Sequence, residues 1–276
     1  MMTKEAVVLI PAYNAEATLG DAVLSLFPAE NDFDVLIVDD GSRLPAETII
    51  RQNAALTPFL ERILILRHEP NQGLISTLNR GVEWALERQY RYIIRMDSDD
   101  LARRNRIDRQ IDFMNVHPEI DVAGSQTKRF KQVLEDLGEG HFPLEQPEIR
   151  RRMHRSVGFS HPTLIIRAST FTKVGMFDPR YLHAEDFDWT WRCMRKVRMA
   201  NLPDFLLNYR ISPNQVSARN RRRQLLSKAR VLLRELSHGE IGCLKGLASV
   251  ALVIFMPLHV KLALQRQLKS WTRPKG

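Results

Sequence analysis

The chain is poor in cysteine: Cys193 and Cys243 are its only two, and they lie far apart. That excludes a disulfide framework and a cysteine-based zinc site, and it fits buried thiols in a reducing compartment. The eight histidines show no paired metal spacing. No G-x-G-x-x-G follows the first apolar run, and no G-x-x-x-x-G-K-[ST] occurs anywhere. Phosphate cradles made of glycine amides, as dinucleotide and P-loop sites use them, are therefore disfavoured. Long apolar runs are missing too. The longest uncharged, mostly apolar stretch is residues 247–258, 12 residues against the ~20 that a spanning helix needs. The first residues lead directly into an apolar run, so no signal peptide is expected. Acids are scarce at the far end. Residues 219–276 hold 13 Lys and Arg against only Glu235 and Glu240, a net of +11, whereas residues 1–218 hold 28 basic residues against 30 acids. The overall charge of +9 thus belongs to the tail, and two modules are expected, 1–218 and 219–276.

What is present is alternation. Residues 6–10, 34–38, 63–66 and 90–96 are short runs rich in apolar and β-branched residues. Between them lie helical patterns: Leu19, Ala22, Val23 and Leu26; Ile49, Ile50 and Leu56; Leu74, Leu78, Val82 and Leu86. Strands alternating with amphipathic helices predict βαβ units and a mostly parallel sheet with helices on both faces. In such sheets ligands bind beyond the carboxyl ends of the strands. Three of the four runs stop at polar groups: Pro11-Ala12-Tyr13-Asn14, Asp39-Asp40-Gly41-Ser42 and Asp97-Ser98-Asp99-Asp100.

Three carboxylates within four residues repel one another, and a hard cation such as Mg²⁺ or Mn²⁺ with open positions for phosphate would hold them together. The plainer alternative makes Asp99 or Asp100 the N-cap of a helix from Arg104. At the first run, Tyr13 can stack on a nucleobase and Glu16 stands at a helix start. Asp40 is placed to accept from a base imide while Asp39 braces the turn that Gly41 permits. Here the alternative is that Asn14 caps the helix and the aspartates form an Asx-turn. In the second half, Glu185, Asp186 and Asp188 open a helix, which suits the helix dipole. Transfer to a hydroxyl requires a base, so Asp186 is the candidate base and Glu185 contacts or orients the acceptor. His161 reads first as a packed structural residue, with a place on the acceptor side as the alternative.

Eight segments in order resemble the family 2 glycosyltransferases: IPAYNAE (10–16), VDDGS (38–42), NQGLISTLNRG (71–81), MDSDD (96–100), HPTLIIR (161–167), GMFDPRY (175–181), AEDFDW (184–189) and NYRISPNQVS (208–217). The resemblance implies an inverting enzyme of GT-A fold, α/β and Rossmann-like, of the bacterial cell-surface polysaccharide type. Residues 1–218 would form the catalytic domain, with a nucleotide-binding half (1–100) and an acceptor half (101–218). Pro11, Ala12, Tyr13, Glu16 and Asp40 would line the nucleotide pocket. Asp97 would reach the ribose or donor sugar, Asp99 would ligate Mn²⁺ or Mg²⁺, and Asp186 would be the catalytic base. Arg106 matches a position that is usually Arg. Two departures stand out: Ser212 occupies the place of a histidine that completes the metal site in many relatives, and Arg103-Arg104-Asn105 stands where a proline is commoner.

The expected reaction moves a sugar from a nucleotide-diphosphate sugar, by resemblance a UDP-sugar, to a hydroxyl of a lipid-linked glycan or polysaccharide. The alternatives are a non-catalytic binding module recruiting lipid or protein, and a metal-dependent nucleotidyltransferase. The latter would want a basic glycine-rich loop where Pro11–Glu16 stand. The tail, with Arg219, Arg221, Arg222 and Arg223 at its start and Lys261, Arg266, Lys269 and Trp271 near its end, reads as a basic amphipathic helical extension. It would lie on an anionic membrane surface, which places the protein in the cytoplasm on the inner face of the cytoplasmic membrane. Few aromatics interleave the basic residues, so nucleic acid is not expected as a partner.

Overall fold

The computed structural model describes residues 5–131, 135–212 and 220–255. Its first half follows the expected alternation: β1 (Ala6–Ala12), α1 (Leu19–Leu24), β2 (Phe33–Asp39), α2 (Ala46–Gln52), β3 (Ile63–Arg67), α3 (Leu74–Glu87) and β4 (Tyr92–Arg95). A 3₁₀ stretch, Ala54–Arg62, joins α2 to β3. β1 and β2 are buried along their whole length, as strands covered on both faces must be. Val7 and Leu9 of β1 point into one core layer, and Ala6, Val8, Ile10 and Ala12 into the other. α3 packs close on β1 because Gly81 leaves room for Leu9; a Cβ there would lie 2.2 Å from Leu9 Cδ1. The buried face of α3 is Ile75, Leu78, Val82 and Ala85, one step round from the expected face, and Leu74 is exposed.

The second half comprises β5 (Leu101–Ala102), α4 (Arg106–Val116), β6 (Val122–Phe130), β7 (Asp136–Gly140), α5 (Gln146–Met153), β8 (Ile165–Arg167), α6 (Ser169–Val174), α7 (Glu185–Lys196) and β9 (Met199–Arg210). All described strands join one sheet in the order β3-β2-β1-β4-β8-β6-β9-β5, with β7 beside β6. The first four strands pair in parallel. Beyond β4 the sheet is mixed: β4–β8, β8–β6, β6–β7 and β9–β5 are antiparallel, while β6–β9 is parallel. α4 starts at Arg106, after Asn105 in the left-handed region at φ 63, with no side-chain cap. The N-cap alternative for Asp99 or Asp100 is thereby set aside.

Helices α8 (Arg221–Ser237) and α9 (Cys243–Phe255) follow. They are helical as expected, but they are not a separate appendage. Val231, Leu232, Cys243 and Val250 are buried in the same core layer as Trp189, Trp191 and Met194 of α7. Charged pairs pin the contact: Asp188 of α7 is fully buried between Arg192 and Arg234 of α8, and Glu235 is fully buried between Arg195 and Arg234. Among the described residues α8 and α9 therefore pack into the same core as α7. Arg219, the end of the 247–258 stretch, and Lys261, Arg266, Lys269 and Trp271 lie outside the described residues.

Two outcomes follow from that shared core. A chain ending at Ser217 should lose its cooperative urea transition, because it exposes the α7 face that Val231 and Leu232 cover. Arg234→Met in the full chain should cost about 3 kcal/mol in urea unfolding, since it leaves Asp188 and Glu235 buried with one cation each. A truncated chain that unfolds cooperatively with the full chain's midpoint would contradict this packing.

Candidate active site

Pro11 helps to open the site. Leu9 O accepts from Met96 N at 3.1 Å, the last bond of the β1–β4 ladder, and two residues on, Pro11 has no N–H to continue it. β4 therefore leaves the sheet at Asp97, and the chain turns through Asp97, Asp99 and Asp100 at the carboxyl edge. Each of these three offers a carboxylate oxygen, all within 4.8 Å of one another. The turn is held from the far strand: Arg210, at the end of β9, gives its N–H to Asp100 at 2.8 Å and its Nε to Asp99 O at 2.6 Å.

Arg95 lies beneath the turn, 4% exposed, and pairs with Asp97. Arg106, 1% exposed, lies alongside and clamps Arg95 O at 2.7 Å and Pro162 O at 2.8 Å. Glu185 and Asp186, at the start of α7, reach the same neighbourhood from the other side; the charges of Arg95 and Asp97 act on both. Burial raises the Asp99 pKa to about 6, with Asp97 adding repulsion. Burial and then its two neighbours push Asp100 well up. Glu185 rises to about 7 through burial and the adjacent Asp186. Asp186 is also raised by burial, but the Phe187 amide at 2.7 Å and Arg95 favour its charge.

The donor set is three hard oxygen ligands in one turn, and Asp100 Oδ2 is buried without a hydrogen-bond partner. Those residues fit Mg²⁺ or Mn²⁺. Clustered titratable groups with displaced pKa values also mark functional sites.

The nucleotide-side residues gather at the adjacent strand ends. Pro11 and Ala12 are buried at the end of β1, Tyr13 is 55% exposed beyond it, and Glu16 stands 3.6 Å from Arg43. Asp39 braces the turn as expected, accepting from Ser42 N, Ala46 N and Arg67. Burial works against its charge, but those partners hold its pKa below the ordinary value. Asp40 has a structural task besides. Its two oxygens accept from Gln72 N and Gly73 N, each at 2.8 Å, so its first task is to fix the loop before α3. One lone pair per oxygen remains for a base edge. Gly41, at φ +73, permits that approach: a Cβ there would lie 2.8 Å from Asn71 N. Asn14 does not cap α1; its side chain accepts from Arg43 N, and its own N–H donates to Ser42 Oγ.

Glu185 is 7% exposed, which suits orienting more than touching an acceptor. Asp188 is structural, held by Arg192 and Arg234. His161 is packed edge-to-face on Phe177, and burial beside Arg95 keeps it neutral. Its Nε2 has no partner, and it lines a small cavity together with Asp186 and Thr190. Sequence reasoning missed Arg95 and Arg210. An arginine inside an otherwise apolar strand, directly before three acids, was the available signal for the first.

The raised carboxylates make a pH prediction. Without metal, the folded chain keeps protons on Asp99 that the unfolded chain has released between about pH 4 and about 6. Asp99 therefore contributes repulsion that is full above about pH 6 and relieved as pH falls below it. Asp99→Asn should raise metal-free stability at pH 8 by up to about 3 kcal/mol, and this gain should shrink as pH falls through about 6. Chemical denaturation in EDTA at several pH values measures it; a variant less stable than the parent at pH 8 would refute the repulsion.

Comparisons with known proteins agree with this geometry. The model of "Glycosyl transferase family 2" matches residues 7–175. An uncharacterized glycosyltransferase of Haemophilus influenzae is 27% identical over 247 residues, covering 83% of this chain and 90% of its own. The amylovoran biosynthesis glycosyltransferase AmsE of Erwinia amylovora is also 27% identical over 247 residues, covering 87% and 88%. Among solved structures, S. aureus TarS 1-349 with UDP superposes with TM-score 0.66 at 18% identity, covering 93% of this chain and 77% of that one. The chain spans only 40% of a longer TarS structure. The mannosyltransferase PcManGT of Pyrobaculum calidifontis, with GDP-Man and Mn²⁺, gives TM-score 0.65 at 14% identity, covering 98% and 81%. At such identities the structures establish a shared GT-A fold. The family match takes in more than half of the chain, from β1 through the acidic turn to the end of α6, and the chain belongs to glycosyl transferase family 2.

Proposed function

We propose that the protein is an inverting glycosyltransferase that moves a sugar from a nucleotide-diphosphate sugar, in the first instance a UDP-sugar, to a hydroxyl of a lipid-linked glycan or polysaccharide. The observation that carries this reading is the convergence of the acidic turn Asp97–Asp100 and the pair Glu185–Asp186 on one buried arginine, Arg95. Donor and acceptor groups meet there. Tyr13, exposed beyond β1, stacks on the base, and Pro11, Ala12, Glu16 and Asp40 shape the pocket around it. Asp97 faces the ribose or sugar. Asp99, with Asp97 and Asp100 beside it, would hold Mn²⁺ or Mg²⁺, which when bound neutralises charge on the diphosphate.

The chain's own residues then do the following. Asp186 takes the proton of the acceptor hydroxyl as the new C–O bond forms at the anomeric carbon. The bond from that carbon to the diphosphate breaks, and the nucleotide leaves with the electron pair. One displacement inverts the anomeric centre. Arg95 stabilises the ionised form of Asp186, and Glu185 orients the acceptor. TarS holds UDP-GlcNAc and PcManGT holds GDP-Man with Mn²⁺, which supports a nucleotide-sugar donor and a metal. AmsE acts in amylovoran biosynthesis and WbnJ of Escherichia coli in O-antigen biosynthesis, which supports a surface-polysaccharide acceptor.

The acceptor is presented at a cytoplasmic membrane surface. No described helix is long and apolar enough to cross a membrane. The α8–α9 pair instead exposes Leu226, Leu233, Ile241, Leu244 and Leu252 beside exposed Arg222, Arg230 and Lys245. Apolar and basic groups on one helical pair suit an in-plane contact with anionic lipid.

Turnover of a panel of UDP-, GDP- and dTDP-sugars tests the chemistry. UDP with Mn²⁺ should raise the melting temperature, as binding to the folded state requires. Asp186→Asn should keep that rise while lowering turnover by about 10²–10⁴-fold. A variant that loses the UDP response but keeps turnover would move Asp186 to the donor pocket. Undiminished turnover in excess EDTA would remove the metal.

A further inference from the structure

A 3₁₀ turn, His161–Thr163, leads into β8, and all three of its carbonyls are claimed. Pro162 O accepts from Arg106 Nη2 at 2.8 Å, Thr163 O from Gln110 Nε2 at 2.6 Å, and His161 O from Leu164 N at 3.3 Å. The His161 ring stands edge-on to Phe177, with the ring centres 5.5 Å apart. Backbone and ring are thus fixed, yet the ring's Nε2 is buried and meets no protein partner. Native interiors rarely leave such an atom unmatched.

The cavity that His161 lines accounts for the orphan. Met153, Leu164 and Phe187 give it apolar walls, and its polar side chains are those of His161, Asp186 and Thr190. Its volume of about 10 Å³ is close to the smallest that admits a single water. A purely apolar cavity stays dry, whereas a water with two to four polar partners is a stable part of an interior. Each polar group here has bonding capacity left. Asp186 Oδ1 accepts from Phe187 N at 2.7 Å, and a carboxylate has acceptor positions beyond that one. Thr190 Oγ1 donates to Asp186 O at 2.7 Å and keeps a lone pair that can accept. A water that donates to the carboxylate and to Thr190 needs a donor of its own. Burial, and then the charge of Arg95, keep His161 neutral, so its ring offers one N–H and no proton to transfer.

The other groups around Asp186 act on it by charge. Glu185 precedes it on α7, Arg95 and Asp97 act from the end of β4, and Lys228 acts from α8. Such fields set how readily the carboxylate ionises. They do not set the angle of its plane, which takes a directional contact.

We propose that one buried water links His161 Nε2 to the Asp186 carboxylate and to Thr190, and that His161 is thereby a positioning residue that turns the base toward the acceptor hydroxyl. His161 touches no substrate in this role. The proposal rests on the reading of Asp186 as the base.

Crystal structures of the parent and of His161→Phe test the bridge with no substrate present. Phenylalanine keeps a ring against Phe177 and removes Nε2. The parent should hold a water within about 3.2 Å of Nε2 and of an Asp186 oxygen. His161→Phe should lack that water and show the carboxylate rotated. A dry cavity in the parent, or a water and carboxylate unmoved in His161→Phe, would overturn the proposal.

Release of UDP from UDP-sugars with Mn²⁺ tests the role. His161→Phe should lower kcat about tenfold at unchanged donor KM, the scale of one hydrogen bond to a charged group. His161→Gln, whose amide nitrogen reaches the place of Nε2, should restore most of it. In an Asp186→Asn background His161→Phe should change kcat less than about twofold, because it acts through the carboxylate. Equal losses in both backgrounds would overturn the positioning role and leave Asp186 as the base. Full turnover in Asp186→Asn alone would overturn the base and this role together. The melting temperature of each variant, and its rise with UDP and Mn²⁺, verifies the fold and the donor pocket.

Discussion

Five carboxylates crowd around one buried arginine, and the architecture of the site follows from keeping them together. Like charges a few ångströms apart repel by about 3–4 kcal/mol per pair at the effective dielectric of a protein site. Asp97, Asp99 and Asp100 come from the end of β4, and Glu185 and Asp186 from the start of α7. Arg95 supplies the central positive charge, and Arg106 fixes the Arg95 carbonyl while staying buried itself. Arg210 closes the arrangement from β9. The balance is incomplete. Asp99 and Glu185 are pushed up to about 6 and about 7, and Asp100 Oδ2 and Arg95 Nε lack hydrogen-bond partners. A site left short of positive charge is suited to receive a cation and to hold a proton.

The elements that deliver these groups explain the remaining design. Parallel β1, β2 and β4 bring their carboxyl ends to one edge, where Pro11 lets β4 turn away. The mixed part of the sheet carries β9 back beneath that turn, which places Arg210. α7 is fixed not only by its Trp189 and Trp191 but also by the ion pairs of its Asp188 and Arg195 with Arg234 and Glu235 of α8. Such buried pairs contribute more to a fixed arrangement than to net stability. The Asp188–Arg234 pair lies within a turn of Asp186, so the basic C-terminal helices and the candidate base form one packed unit.

Much of the first half was legible in the sequence. Short apolar runs that stop abruptly at polar residues define both the strands and the edge where ligands bind, and β1 to β4 lie where those runs are. The aspartates of the acidic turn were legible for the same reason, and those of α7 because three acids open a helix. The second half was harder because its inner strand β6 reads as polar. Ser125, Gln126 and Thr127 are buried there; Ser125 N donates to Thr163 Oγ1, and the Gln126 side chain donates to Leu202 O and accepts from Phe142 N, a pairing that no hydropathy pattern reveals. α8 misled in the opposite way. Arg234 and Glu235 look like a solvated face until Asp188 and Arg195 are brought beside them by the fold. Asp40 was found, but the amides of Gln72 and Gly73 that claim its oxygens lie more than thirty residues away.

The central claim is that the acidic turn is a divalent-metal site that completes itself with a nucleotide diphosphate. Mn²⁺ binding followed by electron paramagnetic resonance, with and without UDP, tests it most directly. The account predicts that the parent binds Mn²⁺ more tightly when UDP is present, that UDP in turn binds more tightly when Mn²⁺ is present, as linkage demands, and that Asp99→Asn abolishes this coupling in a protein that remains folded. Mn²⁺ binding of equal strength in the parent and in Asp99→Asn, unaffected by UDP, would contradict it.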